Sequence, residues 1–351
     1  MDNTFDDSKI EPATPEWKVY FEGNFWGHLG RDRAGTEIRL DQQFDWAGHH
    51  WVIPAVYSCG KGLVVDLCMR TEAKDIRRFI AKWNLTAEND SEENFTQEQQ
   101  MQIELENPLD LDFSAQIALN GKTLQPSHGC AVGISPCLPD GAANEKVAQW
   151  AAMHYGLDDS YGWTIYRRCY PWAGKRRPEI RSLSLTMKQQ PCCVPGPHFR
   201  THAPGDSFSF SHPVSGTEYT LTVQELERQS IPQEQFDSDR WAYPTHFTAM
   251  SYTLSPEPDE DISICDCAVG DRPLEIAPCT NCYAPEAQND IACTVVIGGA
   301  AGPAVTVFGK NKQGSLHAVC SALHFEPAAE DIEWRVVFHV VSFSNETFTL
   351  I

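Results

Sequence analysis

The clearest pattern of hydrophobic and polar positions lies between residues 205 and 223. Phe208 and Phe210 alternate with serines, and after a turn that contains Pro and Gly, Tyr219 and Leu221 alternate with threonines. Alternation with a period of two on both sides of a turn predicts a β-hairpin with one buried face. Because the other face carries hydroxyl side chains, we expect it to meet water rather than a second packed layer.

Short apolar runs separated by Gly and Pro recur along the rest of the chain about every ten residues, which is typical of antiparallel sandwiches. Helical spacing of apolar residues occurs in few places, mainly after Thr71 and between residues 144 and 157. No repeated β–α–β pattern is present, which disfavours a doubly wound sheet. The predicted fold class is mainly β, with antiparallel β-sandwich-like domains and two or three short covering helices.

The length of 351 residues allows two domains. We predict an acidic disordered tail at 1–15 and an N-terminal β-rich domain at 16–150. An acidic insertion at 86–112 interrupts that domain, since this stretch contains no Lys or Arg. The remainder, 151–351, is predicted to be a C-terminal β-sandwich-like domain that carries a Cys-rich loop at 265–293.

Composition narrows the partners and the compartment. The formal net charge of −21 argues against nucleic acid and against anionic membranes as partners. The first fifteen residues are acidic and lack an apolar run, so no export signal is predicted. We therefore expect a soluble, cytoplasmic protein whose 13 cysteines are reduced thiols or metal ligands.

The strongest chemical candidate is a group of four cysteines within residues 265–282. The spacing Cys279-x-x-Cys282 lets two thiolates reach one zinc from a tight turn. Cys265 and Cys267, on alternate positions, complete a predicted structural zinc site that would brace a loop poor in apolar residues. The alternative is that these are reduced thiols in a Pro-rich surface loop.

A second candidate is the only concentrated positive region, where aromatic and basic residues are interleaved. Such a surface is able to bind an acidic peptide, a glycan or a phosphate-bearing ligand. The alternative is that its arginines pair with carboxylates of the chain itself. The predicted binding residues are Trp163, Tyr166, Arg167, Arg168, Trp172, Lys175, Arg176 and Arg177.

Evidence for a catalytic nucleophile is weak. The chain has no G-x-S-x-G motif, and Cys59 beside Lys61 has no recognisable catalytic frame. His198-x-x-x-His202 has the spacing of helical metal ligands, but neighbouring prolines exclude a helix there, and we expect surface histidines. The sequence thus favours a non-enzymatic binding or accessory module that acts through the aromatic and arginine surface. The alternatives are a metal- or thiol-dependent enzyme and an interaction protein braced by structural zinc.

Overall fold

A computed structural model describes most of the chain outside its N-terminal tail. The described residues are 16–28, 30–85, 94–137, 145–174, 176–232, 236, 241–258, 262–275, 306–311, 314–327 and 331–351. The predicted disordered tail at 1–15 and much of the predicted Cys-rich loop lie outside them.

The described residues form a mainly β fold with three helices, and every strand pairing is antiparallel, as the sequence predicted. The helices are α1 (Ala73–Trp83), α2 (Gln97–Glu106) and α3 (Glu145–Tyr155). The strands are β1 (Thr36–Trp46), β2 (His49–Ser58), β3 (Gly62–Thr71), β4 (Phe113–Leu119), β5 (Lys122–Leu124), β6 (His128–Ile134), β7 (Gly162–Pro171), β8 (Leu183–Gln189), β9 (Cys192–Thr201), β10 (Ser207–Ser211), β11 (Glu218–Ser230), β12 (Trp241–Ala242), β13 (His246–Ser255), β14 (Ile262–Asp266), β15 (Leu274–Glu275), β16 (Thr306–Asn311), β17 (Gly314–Cys320), β18 (Ile332–Val340) and β19 (Glu346–Thr349).

The chain divides into two compact units. The first comprises the described residues within Met1–Asn94, Glu106–Gln190 and Val341–Ile351, and the second those within Phe95–Leu105 and Pro191–Val340. This division differs from the predicted cut near residue 150. The reason is that β7 pairs with β3 and with β6 in one sheet, so a cut before β7 would separate hydrogen-bonded strands.

The first unit has a five-stranded sheet, in the order β1-β2-β3-β7-β6, and a four-stranded sheet, in the order β19-β8-β4-β5. One core cluster joins side chains of both sheets, for example Trp51 and Leu67 with Ile117 and Leu185. A second cluster packs the other face of the five-stranded sheet against α3 and the segment around Phe21. Because β2 and β3 are buried on both faces, their apolar residues run almost continuously instead of alternating.

The second unit packs the sheet β10-β11-β13-β17-β16 against the three-stranded sheet β14-β18-β9. The hairpin expected between residues 205 and 223 is confirmed as β10 and β11, in which Phe208 lies opposite Leu221 and Phe210 opposite Tyr219. Phe210, Tyr219 and Leu221 are buried in the core of this unit. The serines and threonines of the opposite face pair with one another across the two strands.

The outer face of the three-stranded sheet is polar. On β18, Trp334 and Val336 point into the core, so the alternating positions Glu333 and Arg335 point the other way. The third strand, β9, contains Pro195, one of the prolines that neighbour His198. It lies at the edge of its sheet, where a strand tolerates proline because its outer N–H groups need no partner.

Candidate metal centre

Three segments of the second unit bring a thiol, an imidazole and a carboxylate together on this outer face. His198 lies on β9, Glu333 on β18, and Cys267 directly follows β14. The backbone N–H of Cys267 donates to the carbonyl of Glu333 at 2.9 Å, which extends the pairing of β14 with β18 as far as the thiol. Regular strand pairing, rather than a loop, therefore positions all three side chains.

The donor atoms of the three side chains lie close together. Nδ1 of His198 is 3.0 Å from Oε1 of Glu333 and 3.8 Å from Sγ of Cys267. All three ligand atoms fall within 4.8 Å of one another. In a tetrahedral zinc site, bonds of about 2.0 Å to nitrogen and oxygen and about 2.3 Å to sulfur put ligand atoms about 3.3–3.6 Å apart. The cluster is therefore close to the size that a zinc ion requires.

One further carboxylate and one guanidinium surround these donors. Nε2 of His198 lies 3.2 Å from Oε2 of Glu98, at the start of α2. Oε2 of Glu333 accepts a hydrogen bond of 3.0 Å from Nη2 of Arg200, which leaves Oε1 on the side of the imidazole. Each of the two ring nitrogens of His198 thus faces a different group, and only Nδ1 faces both the thiol and Glu333.

The electrostatic surroundings differ between the thiol and the carboxylate. Burial raises the pKa of the Cys267 thiol to about 11, although the nearby Arg335 guanidinium opposes that change. The hydrogen bond from His198, followed by the one from Arg200, lowers the pKa of Glu333. Cys267 is therefore a protonated thiol at neutral pH unless a cation replaces its proton, so the cluster does not resemble an activated nucleophile.

A cleft of about 530 Å³ adjoins the cluster. Cys267, Glu333 and Arg200 line it on one side, and Asp271, His324 and Asp331 contribute to the remaining wall. Arg200 keeps 61% of its side-chain surface exposed while one of its N–H groups holds Glu333. Two of the three donor residues, Cys267 and Glu333, therefore border this cleft, whereas His198 does not line it.

The predicted four-cysteine site is only partly covered by the structure. Cys267 lies in the cluster, whereas Cys279 and Cys282 lie outside the described residues. Cys265 is 3% exposed, and its thiol faces Nη2 of Arg335 at 3.6 Å. Cys265 is also absent from the group of donors around His198. Of the two described cysteines, only Cys267 joins further metal-binding groups.

The structure separates the residues of the predicted aromatic and arginine surface. Trp163, Tyr166 and Arg167 are 4%, 4% and 2% exposed, so these three are not available to a partner. Arg167 instead binds Asp66 inside the protein, in agreement with the alternative that these arginines pair with the chain's own carboxylates. The other members are Arg168 and Trp172, which are half-buried, Arg176 and Arg177, which are exposed, and Lys175, which lies outside the described residues.

The residues considered as weaker catalytic candidates all lie within the described part of the chain. Cys59 is 2% exposed, and burial raises the pKa of its thiol to about 11. Lys61 forms ion pairs with Glu22 and Asp32 at 2.8 and 3.0 Å rather than with this thiol. His202 binds Asp331 at 2.8 Å. Among these candidates, only His198 reaches a group of metal-binding side chains.

Sequence reasoning did not single out Glu98 or Glu333. Glu98 falls in the predicted acidic insertion, where Thr96 and Gln99 form a helix-start pattern, Thr-x-x-Gln, that predicts α2. For Glu333, the available signal is the alternation of polar residues with Trp334 and Val336. Such alternation predicts which face a side chain occupies, but not which strand lies beside it.

Comparison of the chain with protein-family models, curated proteins and solved structures gives no match. Among the helices that the structure describes, none is long and apolar enough to cross a membrane.

Proposed function

We propose that this is a metal-binding β-sandwich protein that holds a transition-metal ion, zinc above all, at His198, Cys267 and Glu333. The observation that carries this proposal is the convergence of one nitrogen, one sulfur and one oxygen donor within 4.8 Å. Zinc accepts all three donor types, and a thiolate with an imidazole selects it over magnesium and calcium. A bound cation would also favour loss of the proton from Cys267.

The three-ligand arrangement is evidence for an ion that binds a further ligand rather than for one that only stabilises the fold. Structural zinc is held by four protein ligands, whereas three leave a position for water or a ligand. Cys267 and Glu333 also line the cleft, so such a ligand has access to the ion. The strands that carry the site are already held by backbone pairing and by their own core.

A metal with an open position supports a metal-dependent binding or catalytic role. The aromatic and arginine surface supports a separate binding role less well, because three of its members are buried. Its remaining support comes from the exposed Arg176 and Arg177, which suit an acidic peptide, a glycan or a phosphate-bearing partner. Cys59, Cys68 and Cys169 are buried free thiols, which supports the expected cytoplasmic location.

Metal analysis and cobalt titration test the proposal. We expect one zinc per chain after loading and removal of excess ion. With cobalt in place of zinc, we expect absorption from thiolate-to-metal charge transfer that is lost in Cys267→Ser. His198→Asn and Glu333→Gln should weaken binding strongly, because each removes one of three ligands.

Matched variants show whether the ion is bound at these three residues. His202→Asn removes an exposed imidazole from the same edge of the sheet, and Cys320→Ser removes an exposed thiol elsewhere, and neither should change the metal content. A Cys279→Ser, Cys282→Ser double variant should also still bind one ion. If binding is lost there but survives in His198→Asn and Glu333→Gln, the predicted four-thiolate site is favoured instead. If the natural chain takes up no metal, the cluster is only an ion pair between His198 and carboxylates.

A further inference from the structure

Helix α2 reaches the proposed metal centre with its first turn. Thr96 and Gln99 fix the start of the helix reciprocally. The N–H of Gln99 donates to Oγ1 of Thr96 at 3.2 Å, and the N–H of Thr96 donates to Oε1 of Gln99 at 2.8 Å. Gln97 and Glu98 lie between these two residues, so their positions are set by the capping interaction rather than by a mobile loop.

Arg335 lies between the thiol of Cys265 and the start of α2. Its side chain is 2% exposed, and Nη2 donates to Oε1 of Gln97 at 3.0 Å. Nη1 is 3.6 Å from Oε2 of Glu98, and Nε has no partner among the described residues. Within the ranges that the structure describes, Glu98 at 3.6 Å is the one carboxylate that forms an ion pair with this buried guanidinium.

The same oxygen of Glu98 also faces His198. Oε2 is 3.2 Å from Nε2 of the imidazole and 3.6 Å from Nη1 of Arg335. A histidine that binds a metal through one ring nitrogen commonly donates its other N–H to a carboxylate, which fixes the tautomer and the orientation of the ring. Nδ1–H donates to Oε1 of Glu333 in this structure, and an ion bound at Nδ1 would replace that proton and leave the Nε2–H facing Oε2 of Glu98.

We propose that Glu98 is a positioning residue for the metal centre: once an ion occupies Nδ1, Glu98 accepts the Nε2–H of His198 and holds the ring, and it thereby links occupancy of the ion to the docking of α2. This inference rests on the proposed metal-binding function. Because coupling of two binding events is reciprocal, an ion that orders His198 also strengthens the contact of α2 with the sheet, and a docked α2 strengthens metal binding.

The test compares two substitutions of Glu98 with a control on the same helix. Glu98→Ala removes the acceptor and leaves a residue that favours helix, while Glu98→Gln keeps an amide oxygen without the charge. Substitution of a group in this position commonly weakens metal affinity 10–100-fold, so we expect about that loss for Glu98→Ala and a smaller one for Glu98→Gln. Both variants should still bind one ion per chain with the cobalt spectrum of the natural protein.

Glu104→Ala is the matched control, because Glu104 lies on the same helix near Cys193 rather than near His198. It should leave the metal affinity unchanged.

A second readout reports on the imidazole ring of His198. In the zinc-loaded protein, long-range ¹H–¹⁵N spectra of the imidazole should show an Nε2–H proton that exchanges slowly with water in the natural chain and faster in Glu98→Ala, which a purely structural loss would not produce.

The outcomes distinguish this inference from the function on which it rests. If the natural chain binds no metal, both fail. If it binds one ion per chain but Glu98→Ala binds equally tightly, or weakens no more than Glu104→Ala, the role of Glu98 is wrong and the metal centre stands. A graded loss of metal affinity from Glu98→Gln to Glu98→Ala, with faster exchange of the Nε2–H proton of His198 in Glu98→Ala, supports the inference.

Discussion

Two buried arginines occupy comparable places in the two units. Arg167 lies on β7 between Asp66 of β3 and Cys130 of β6, and Arg335 lies on β18 between Cys265 of β14 and His198 of β9. Both side chains are 2% exposed. Each therefore sits on a central strand of an antiparallel sheet, with a cysteine as one of its two cross-strand neighbours.

The partners of the two guanidinium groups differ. Nε and Nη2 of Arg167 donate to the two oxygens of Asp66 at 2.8 and 2.6 Å, and the guanidinium lies over the ring of Phe25 at 4.1 Å. Burial lowers the pKa of Arg167, but the charge of Asp66 more than offsets it, so the pKa is raised overall. Arg335 has an amide oxygen, a thiol sulfur and a carboxylate at 3.6 Å.

The two units therefore differ in how a buried guanidinium is paired: with an aspartate in the first unit, and with an amide, a thiol and a more distant carboxylate in the second. Asp66 also accepts a hydrogen bond of 2.5 Å from Tyr155, whose hydroxyl meets that of Tyr57 at 2.8 Å, so the first unit neutralises its buried charge internally. In the second unit, Arg335 contacts Gln97, Cys265 and Glu98, and thiols and carboxylates are residue types that bind cations. The first arrangement is an internal ion pair, and the second lies beside the centre that we propose to bind a metal.

The largest expected effect comes from breaking the internal pair. Asp66→Ala leaves Arg167 buried without its carboxylate, which typically costs about 3–5 kcal/mol. We expect a loss of that size in the free energy of unfolding of the first unit, measured by denaturant titration. The double variant Asp66→Leu, Arg167→Met removes both charges and should recover most of the loss. A change of less than about 1 kcal/mol in Asp66→Ala would contradict the assigned role of the pair.

The next effect is stabilisation of the second unit by zinc. A ligand that binds only the folded state at 100 times its dissociation constant adds about 2.7 kcal/mol. We expect slower hydrogen exchange in β9, β14 and β18 on addition of zinc, reversal by a chelator, and little change in β3 and β7. Equal protection of both groups of strands would show that the ion does not act at the proposed centre.

The smallest effect is expected for Arg335→Met. Replacing a poorly paired buried charge by an apolar side chain is often neutral or stabilising, so we expect a change within about 1 kcal/mol. The matched variant Arg167→Met leaves Asp66 unpaired and should cost about 3–5 kcal/mol. The free energy of unfolding of each variant is measured by denaturant titration. Equal losses for the two would mean that Arg335 is paired as well as Arg167.

The sequence predicted those features that depend on local alternation. The mainly β fold and the hairpin of β10 and β11 follow from residues close in the chain, and His198 and Cys267 were considered as ligands from their spacing. Glu333 was missed because its neighbours depend on strand register, which unites β9, β14 and β18 from distant parts of the chain. β9 was not predicted because prolines near His198 disfavour a regular strand, and the burial of Arg167 depends on the placement of Asp66 opposite it.

The order of segments along the chain has a consequence for biosynthesis. The first unit includes β19, which pairs with β8 of the same unit, but nearly all of the second unit lies between these two strands in sequence. Domains usually fold as units while the ribosome extends the chain at about 5–20 residues per second. The four-stranded sheet of the first unit thus acquires its last strand only after the residues of the second unit have been translated. Until then β8 presents an open edge, and a nascent chain stalled before residue 346 would leave it exposed to other polypeptides.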